Sequence, residues 1–181
     1  PAVVTIALAL GVKRMLKRHA LIRRLPSVET LGSTTVICSD KTGTLTHNEM
    51  TVKKVYVDND IIDVTGAGYE PIGEFSKNTE DLELLMQIGA LNNDAKIEKK
   101  EDEWSVFGDP TEAALLVSAR KHGIDEAFIE RNLRIDEIPF DSSRKMMTTL
   151  HEIEGRKYVY VKGAPDILLS KCSKIIVKGD I

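Results

Sequence analysis

The sequence is poor in cysteine, lacks a glycosylation signal and has no basic excess, and each shortage excludes a class of protein. Its two cysteines, Cys38 and Cys172, lie far apart and form no Cys-x-x-Cys pair. We therefore expect both to be buried hydrophobic residues in a reducing compartment. No Asn-x-Ser/Thr sequon occurs, which is consistent with a cytosolic location. The net charge of −3 argues against a general nucleic-acid-binding protein.

Several common nucleotide and metal signatures are also missing. The glycine-rich segment 65–71 does not have the Gly-x-Gly-x-x-Gly spacing, and Gly-x-x-x-x-Gly-Lys-Ser/Thr is absent. The four histidines are scattered and form no ligand cluster. Rossmann-type, P-loop and zinc sites are therefore excluded. The length of 181 residues, with 42% hydrophobic and 29% charged residues, is ordinary for a globular protein of one or two domains.

The most informative stretch is 39–46, which reads Ser-Asp-Lys-Thr-Gly-Thr-Leu-Thr. It follows the β-branched run 34–38, which predicts a buried parallel strand. Asp40 would then project beyond the carboxyl end of that strand, where open α/β sheets bind ligands. A carboxylate there can act as a nucleophile that accepts a phosphoryl group, and it would also help to hold Mg²⁺. The alternative is an Asx turn that closes the strand.

The string from Asp40 to Thr46 resembles the phosphorylation sequence of the P-type ATPases. The resemblance implies a haloacid-dehalogenase-like, doubly wound α/β phosphorylation domain, ATP as the phosphoryl donor, and cation transport through an aspartyl-phosphate. It assigns the catalytic roles to Asp40 as nucleophile, Lys41 as support for the charge, and Thr42 as the residue that orients the phosphate. Thr42 would also offer Mg²⁺ a backbone carbonyl beside the Asp40 carboxylate.

Thr42 separates this interpretation from the nearest rival enzyme. Phosphatases of the same fold usually carry a second aspartate two residues after the nucleophile, as a general acid and base. The sequence has Thr42 at that position. Because a threonine cannot activate water as a base, hydrolysis of the acyl-phosphate is expected to be slow. A long-lived phosphoenzyme suits a pump, which changes conformation before it releases phosphate.

The N-terminal residues join an apolar run to a basic one. Residues 1–12 are almost wholly apolar, and Lys13 begins a basic stretch that ends before the first acid, Glu29. The run is shorter than the roughly 20 residues that cross a bilayer, which leaves a truncated membrane helix, an interfacial helix or a core helix. The resemblance favours the first, the end of the fourth transmembrane helix of calcium- and sodium-pump-like members. The positive-inside rule then places Lys13 onward in the cytosol.

From residue 51 the pattern changes to short strands, turns and helices. Asn78 or Thr79 is predicted to cap a helix that ends near Leu91, and Asp109 is predicted to cap a second helix that begins with Pro110. Glu112 lies three residues after that cap, so a capping box explains it without any ligand. The charged segment 96–103 is predicted to be a solvated loop.

A hairpin is predicted around the two-residue turn Glu154-Gly155. In that register Lys162 lies opposite Met147, so that Lys145 and Lys162 share one end of the hairpin, near Phe140. One aromatic ring and two cations suit an adenine and its phosphates. A core phenylalanine with two exposed lysines produces the same pattern, and periodicity alone favours that alternative.

Three segments of this region resemble the α+β nucleotide-binding domain, with its antiparallel sheet, of type II, calcium-pump-like P-type ATPases. Phe140 resembles the residue that stacks on adenine, Glu112 the residue that bonds its amino group, and Lys162 the lysine of the Lys-Gly-Ala-Pro-Asp motif. Some animal calcium pumps have arginine at the position of Ser142, so a phosphate contact there is in doubt. The nucleotide contacts that the resemblance implies are Thr111, Glu112, Phe140, Lys145, Lys162, Gly163 and Ala164.

The resemblance covers essentially the whole chain and divides it into three parts. Residues 1–24 would be the cytosolic end of a truncated transmembrane helix with a basic stalk. Residues 25–50 would start the phosphorylation domain, and 51–181 would form most of a nucleotide-binding domain. The expected partners are ATP with Mg²⁺, a transported cation bound outside this chain, the remaining domains of a multi-pass membrane pump and, through its other helices, the membrane.

Two other classes of function stay open at this point. One is a soluble dehalogenase-like phosphatase, and the other is a nucleotide-binding module without catalysis. The transported ion is expected to be calcium from the style of the nucleotide segments, with sodium, potassium and protons as alternatives. The chain alone is expected to bind ATP weakly and to turn over little or none.

Overall fold

The computed structural model describes residues 2–101 and 103–181, which divide between His47 and Asn48 into two units. Pro1, the first residue of the apolar run, and Asp102 lie outside the described residues. The N-terminal unit contains helix α1 (Ala2–Leu16), helix α2 (Pro26–Gly32) and an irregular turn at Lys41–Leu45. In the described part of the chain, no helix is both long enough and apolar enough to cross a bilayer.

Helix α1 buries none of its described residues. Val3, Ile6 and Leu10 are each more than half exposed, although all three are large and apolar. Lys13 and Arg14 occupy its last turn, where the helix dipole favours positive charge. The core-helix alternative for this run is therefore not what the unit forms.

The strand predicted over residues 34–38 is not formed. All five residues are exposed, and the described residues of the N-terminal unit contain no strand. A parallel strand exists only through hydrogen bonds to neighbouring strands, and residues 2–47 supply none. The start of a doubly wound sheet is therefore not observed. The expectation of buried cysteines is also wrong, because Cys38 lies in this uncovered segment and Cys172 follows an exposed helix.

The C-terminal unit combines helices with antiparallel sheets, as the sequence predicts. Its strands form two separate hairpins and a three-stranded sheet with β6 at its centre. In chain order the elements are β1 (Lys54–Val57), β2 (Asp60–Asp63), α3 (Glu80–Leu91), β3 (Lys96–Lys100), β4 (Glu103–Phe107), α4 (Pro110–Lys121), α5 (Glu126–Arg131), β5 (Arg134–Asp141), β6 (Met146–Ile153), β7 (Arg156–Gly163) and α6 (Pro165–Lys171).

The main core joins α3 and α4 to the β1–β2 hairpin. Leu82, Met86 and Ala90 recur every four residues on α3, which puts them on one helical face, and all three are buried. Ile62 of β2 and Leu116 of α4 complete the contact, with 1% and 4% exposure. Burial of side chains of this size supplies about 1.5–3 kcal/mol each relative to exposure. This core holds α3 and α4 in place for the site described below.

The helix ends follow the predicted caps. Thr79 caps α3 by accepting a hydrogen bond from the Leu82 amide, and α3 ends at Leu91. Asp109 caps α4 with Pro110 as its first residue. The loop predicted over 96–103 is wrong, since β3 and β4 pair as a hairpin there. The charged residues of β3 are compatible with a strand because the hairpin leaves their side chains exposed.

The register of the β6–β7 hairpin is as predicted. Met147 pairs with Lys162, and the turn lies at Glu154-Gly155. Side chains alternate along β6, so that Met147, Thr149 and His151 all point to the buried face. Strand β5 was not predicted; seven of its eight residues are exposed, and it pairs with β6 through a ladder that shifts register twice. An edge strand of this kind has little hydrophobic alternation for a sequence pattern to detect.

His151 is buried in β6 as a neutral ring. Its Nδ1 lies 2.9 Å from the Asn132 carbonyl oxygen, and its Nε2 lies 3.0 Å from the Thr149 hydroxyl. Because a carbonyl only accepts hydrogen bonds, Nδ1 carries the proton and Nε2 accepts from the hydroxyl. Burial is the main cause that lowers the pKa of His151 below its ordinary 6.5, and the positive charge of Arg134 adds to it.

We expect the C-terminal unit to lose stability as the pH falls below about 6.5. The unfolded chain takes up a proton at the ordinary histidine pKa, whereas the folded state resists protonation until a lower pH. Between the folded and the unfolded pKa the unfolded state therefore binds more protons. The free energy of unfolding decreases as the pH is lowered through this range, and it stops decreasing once the pH is below the folded pKa. Thermal unfolding at several pH values checks this, and His151→Gln should flatten the slope. An unchanged slope in that variant would contradict the assignment.

Candidate functional site

A cleft of about 750 Å³ lies in the C-terminal unit. Its walls come from the start of α4, the end of β5 and the end of β7. The volume is within the range of about 300–1,000 Å³ that is typical of small-molecule sites. All seven residues predicted to contact a nucleotide line it, although they come from three separate segments. The other residues that line it are Asp94, Asp109, Leu115 and Pro139.

Lys162 is held at the cleft wall by two acceptors. Its Nζ donates to Glu112 Oε1 at 2.5 Å and to the Asn92 carbonyl oxygen at 2.6 Å. The side chains of Lys162 and Glu112 are 19% and 14% exposed, so the ion pair is largely shielded from water. Screening by solvent and salt is weaker for such a pair than for a surface pair. The Lys162 ammonium is therefore fixed in place before any ligand arrives.

Glu112 does not close the capping box that the sequence indicates. Asp109 Oδ1 accepts from the amides of Thr111 and Glu112 at 2.8 and 3.3 Å, as a cap residue does. The Glu112 side chain instead accepts from the Asp94 amide through Oε2 at 3.1 Å. A hydrogen bond from the Thr111 side chain is the main cause that lowers the pKa of Asp109, helped by the charge of Lys162. Asp109 is therefore ionised at neutral pH.

Phe140 and Lys145 leave their functional groups open to the cleft. Phe140 is 60% exposed, so its ring is free to stack against a planar ligand. Lys145 is exposed, and among the described residues its ammonium has no ion-pair or hydrogen-bond partner. The cleft therefore presents one free aromatic face and one free cation.

Gly163 allows two backbone segments to pass very close to each other. A Cβ built on Gly163 would lie 2.3 Å from the Lys145 carbonyl oxygen and 2.9 Å from the Met146 Cα. The same carbonyl accepts a hydrogen bond from the Ala164 amide at 3.0 Å. Lys145 itself has a left-handed backbone, with φ of 54°. This junction places Lys145 next to the end of β7, so that both predicted lysines reach one cleft.

Asn92 connects the cleft to the sheet, and the sequence reasoning missed it. Its side chain is fully buried, and Nδ2 donates to the carbonyl oxygens of Met147 at 3.3 Å and Tyr160 at 2.9 Å. Its own carbonyl oxygen is one of the two acceptors that hold Lys162. The only signal in the sequence is a polar residue directly after an apolar helix. That signal does not indicate a contact with a residue 70 positions away.

Asp40, Lys41 and Thr42 lie in the N-terminal unit, in an exposed segment. Asp40 Oδ1 accepts a hydrogen bond from the Thr42 amide at 3.3 Å, which is the Asx turn that the sequence left as an alternative. Gly43 follows with φ of 72°, a left-handed conformation that glycine adopts without strain. Among the described residues, the Thr42 amide is the one hydrogen-bond donor to the Asp40 side chain. The carboxylate is therefore accessible.

The described residues do not make a Mg²⁺ site by themselves. No group of three or more His, Cys, Asp or Glu residues within 2–101 and 103–181 could hold a metal ion. Asp40 and the Thr42 carbonyl offer two oxygen ligands, whereas Mg²⁺ takes six and usually keeps several waters beside substrate phosphates. Any Mg²⁺ at Asp40 would therefore depend on phosphate oxygens and water.

Comparison with known proteins gives a consistent result. A family model described as "P-type ATPase, cytoplasmic domain N" matches residues 81–181. The calcium-transporting ATPase of Bacillus subtilis is 49% identical over 99% of this chain and 21% of its own length. The cation-transporting ATPase pma1 of Synechocystis is 47% identical over 98% of this chain and 21% of its own length. Calcium-transporting ATPase 1 of Bacillus cereus is 44% identical over 100% and 19%, respectively. The chain thus spans about one fifth of the length of these relatives.

Proposed function

Because this chain belongs to the P-type ATPases, we propose that its C-terminal unit binds ATP in the cleft and that Asp40 receives the γ-phosphoryl group in the whole protein. One observation carries the ATP site: residues from three separate segments, each matching a family nucleotide motif, line a single cleft. A chance match of motifs would not require its members to meet in space. The relatives are named as calcium or cation transporters, so we propose ATP-driven cation transport, with calcium preferred.

Different cleft residues would contact different parts of the nucleotide. The exposed Phe140 ring would stack on the adenine, and the exposed Lys145 ammonium would attract the phosphates. Glu112 would accept from the adenine amino group, because each carboxylate oxygen has two lone pairs and uses one here. Lys162 pairs with the Glu112 carboxylate and orients it. Gly163 and Ala164 would let the ligand approach the backbone closely, and Thr111 would contribute its hydroxyl beside Glu112.

The phosphoryl transfer itself would take place at Asp40. A carboxylate oxygen of Asp40 forms a bond to the γ-phosphorus, the bond from that phosphorus to the bridging oxygen breaks, and ADP leaves. Lys41 would balance the charge, and Thr42 would orient the phosphate. Mg²⁺ would accompany ATP and neutralise phosphate charge. The strands that pair with residues 34–38 would come from other parts of the whole protein, whose relatives are about five times longer than this chain.

The same family membership supports a division of the chain into three functional parts. We propose a membrane-helix end and basic stalk over 1–24, the start of the phosphorylation domain over 25–50, and a nucleotide-binding domain over 51–181. The exposed apolar surface of α1 and its basic last turn support the first part. The family model, which describes a cytoplasmic domain, supports the third. The transported cation would bind in parts of the protein outside this chain.

Phe140→Ala is expected to weaken ATP binding about 5- to 100-fold, which is the range for losing one base–aromatic stack. Titration calorimetry of the full chain with ATP measures the change. Ile138→Ala is a matched control, because Ile138 lies on the same strand, is 55% exposed and does not line the cleft. Equal effects of the two substitutions would show that ATP does not stack on Phe140. Unchanged ATP affinity in Phe140→Ala would remove the cleft as the adenine site.

A further inference from the structure

The residues that line the cleft carry more negative than positive charge. Asp94, Asp109 and Glu112 contribute three carboxylates, and Lys145 and Lys162 contribute two ammonium groups. Glu112 and Lys162 neutralise each other, which leaves one lysine against two aspartates. The α4 N-terminus stabilises Asp109 through its amides and helix dipole. Asp94 has no such support from the lining residues, although a triphosphate ligand would be repelled by its charge.

Arg134 compensates Asp94 from behind the cleft wall. Its Nη1 donates to Asp94 Oδ1 at 2.6 Å and also contacts the Glu137 carboxylate. Its Nη2 donates to the Asn93 carbonyl oxygen at 2.7 Å, which fixes the guanidinium beside the chain that carries Asp94. The Arg134 side chain is only 24% exposed and is not one of the lining residues.

The segment that Arg134 holds also positions the two paired cleft residues. The Asn92 carbonyl accepts from Lys162, and the Asp94 amide donates to Glu112 Oε2. A loss of the guanidinium would therefore leave an unpaired carboxylate on the wall and loosen the backbone behind Glu112 and Lys162. The first effect depends on the charge of the ligand, and the second does not.

We propose that Arg134 is a positioning residue that makes the cleft accept an anionic nucleotide, acting through Asp94. The inference rests on the proposed function, because it concerns how the cleft tolerates a phosphate chain. The guanidinium neutralises the Asp94 carboxylate and keeps it turned into a fixed ion pair. Without it, phosphate and Asp94 repel each other across a partly shielded cleft. A neutral ligand that fills the adenine end experiences no such repulsion.

The test compares ATP with adenosine, which shares the base and sugar but has no charge. Arg134→Gln is expected to weaken ATP binding about three- to tenfold, the order expected for one unpaired charge near the ligand at an effective dielectric between protein surface and water. Adenosine affinity should fall by a clearly smaller factor, because a neutral ligand experiences the loosened backbone and not the repulsion. Adding Asp94→Asn to Arg134→Gln should bring the loss of ATP affinity down to the loss seen with adenosine, and Arg134→Lys, which keeps the charge, should retain most of the ATP affinity. Titration calorimetry of the full chain measures the affinities of the wild type and of each variant for ATP and for adenosine.

Arg120→Gln is the matched control. The Arg120 side chain is 20% exposed and pairs with Glu126, so it resembles Arg134 in burial and in the kind of partner, but it does not line the cleft and does not pair with a residue that does. It should leave the affinities for ATP and adenosine unchanged. Thermal unfolding of each variant verifies that it is folded.

Three outcomes overturn the inference. Equal losses of ATP and adenosine affinity in Arg134→Gln would show a purely structural role, and a double variant as weak as the single one would exclude action through Asp94. Unchanged ATP affinity in Arg134→Gln would remove any role. Failure of the proposed function gives a different pattern. In that case the wild-type chain would bind neither ATP nor adenosine, or Phe140→Ala would leave ATP affinity unchanged, and the inference would fail with the proposed function.

Discussion

Asp40→Asn in the full-length protein is expected to abolish the phosphorylated form completely. The proposed intermediate is an ester-like bond from the Asp40 carboxylate to phosphorus, and a neutral amide is too weak a nucleophile to form it. The substitution keeps the size of the side chain. It also keeps the hydrogen bond that Oδ1 accepts from the Thr42 amide, because an amide oxygen accepts equally well. A loss of phosphorylation would therefore report chemistry rather than a collapsed turn.

The measurement uses ATP labelled at the γ-position, an acid quench and treatment with hydroxylamine. A pump should give an acid-stable, hydroxylamine-sensitive adduct in the wild type and none in Asp40→Asn. Asp125→Asn is a suitable control, because Asp125 also accepts a backbone hydrogen bond, from Phe128, that asparagine can keep. Its adduct should match that of the wild type.

The same assay separates the three classes of function that the sequence leaves open. A phosphatase would release phosphate and accumulate little adduct, whereas a binding module would give neither adduct nor phosphate. A label that persists in Asp40→Asn would show that another residue is modified. That result would remove Asp40 as the nucleophile, whatever the outcome of the ATP-binding experiments on the cleft.

Gly163→Ala is expected to destabilise the C-terminal unit by about 1–3 kcal/mol, the usual effect of overpacking. The new methyl group would lie 2.3 Å from the Lys145 carbonyl oxygen and 2.9 Å from the Met146 Cα. Both are backbone atoms, so no side-chain rotation can relieve the overlap. The chain must separate, which breaks the hydrogen bond from the Ala164 amide to the Lys145 carbonyl. Lys145 and Lys162 would then move apart, and ATP binding should weaken as well.

Chemical unfolding and ATP titration of Gly163→Ala measure these two effects. Gly89→Ala is the matched control, since a Cβ there would meet only the Leu115 Cβ, at an ordinary 3.9 Å. Gly89 lies inside α3, where alanine is favoured over glycine by about 1 kcal/mol, so that variant should be as stable as the wild type or more stable. A Gly163→Ala protein with wild-type stability and ATP affinity would show that the backbone at Lys145 and Met146 can move aside without cost, which contradicts the prediction.

Much of the candidate site follows from local rules that a sequence carries. A cap residue acts within three positions, so Asp109 and the start of α4 are predictable. A two-residue turn sets the register of the strands beside it, which is why Lys162 is found opposite Met147. The family motifs then indicate the other residues that we expect to contact a nucleotide, and those residues do line one cleft.

Other features depend on neighbours that a sequence pattern cannot identify. The run 34–38 has strand-forming residues, yet it is exposed and unpaired because the described residues near it supply no partner strand. Strand β5 is the opposite case. Its sequence lacks a clear hydrophobic alternation, yet the strand forms because β6 offers it hydrogen bonds. Pairing between strands is a property of two segments, and a pattern describes only one.

The sequence by itself determined which side chains bring chemistry to this protein: the carboxylate of Asp40, the ring of Phe140 and the ammonium groups of Lys145 and Lys162. Only the tertiary structure decided which of their charges are already neutralised. Lys162 is paired with Glu112, Lys145 has no partner within the described part of the chain, and Asp94 is paired with Arg134 from behind the wall. The reason is that charge balance in a cleft depends on distances of a few ångströms between residues tens of positions apart. Those distances are set by the packing of helices against the sheet.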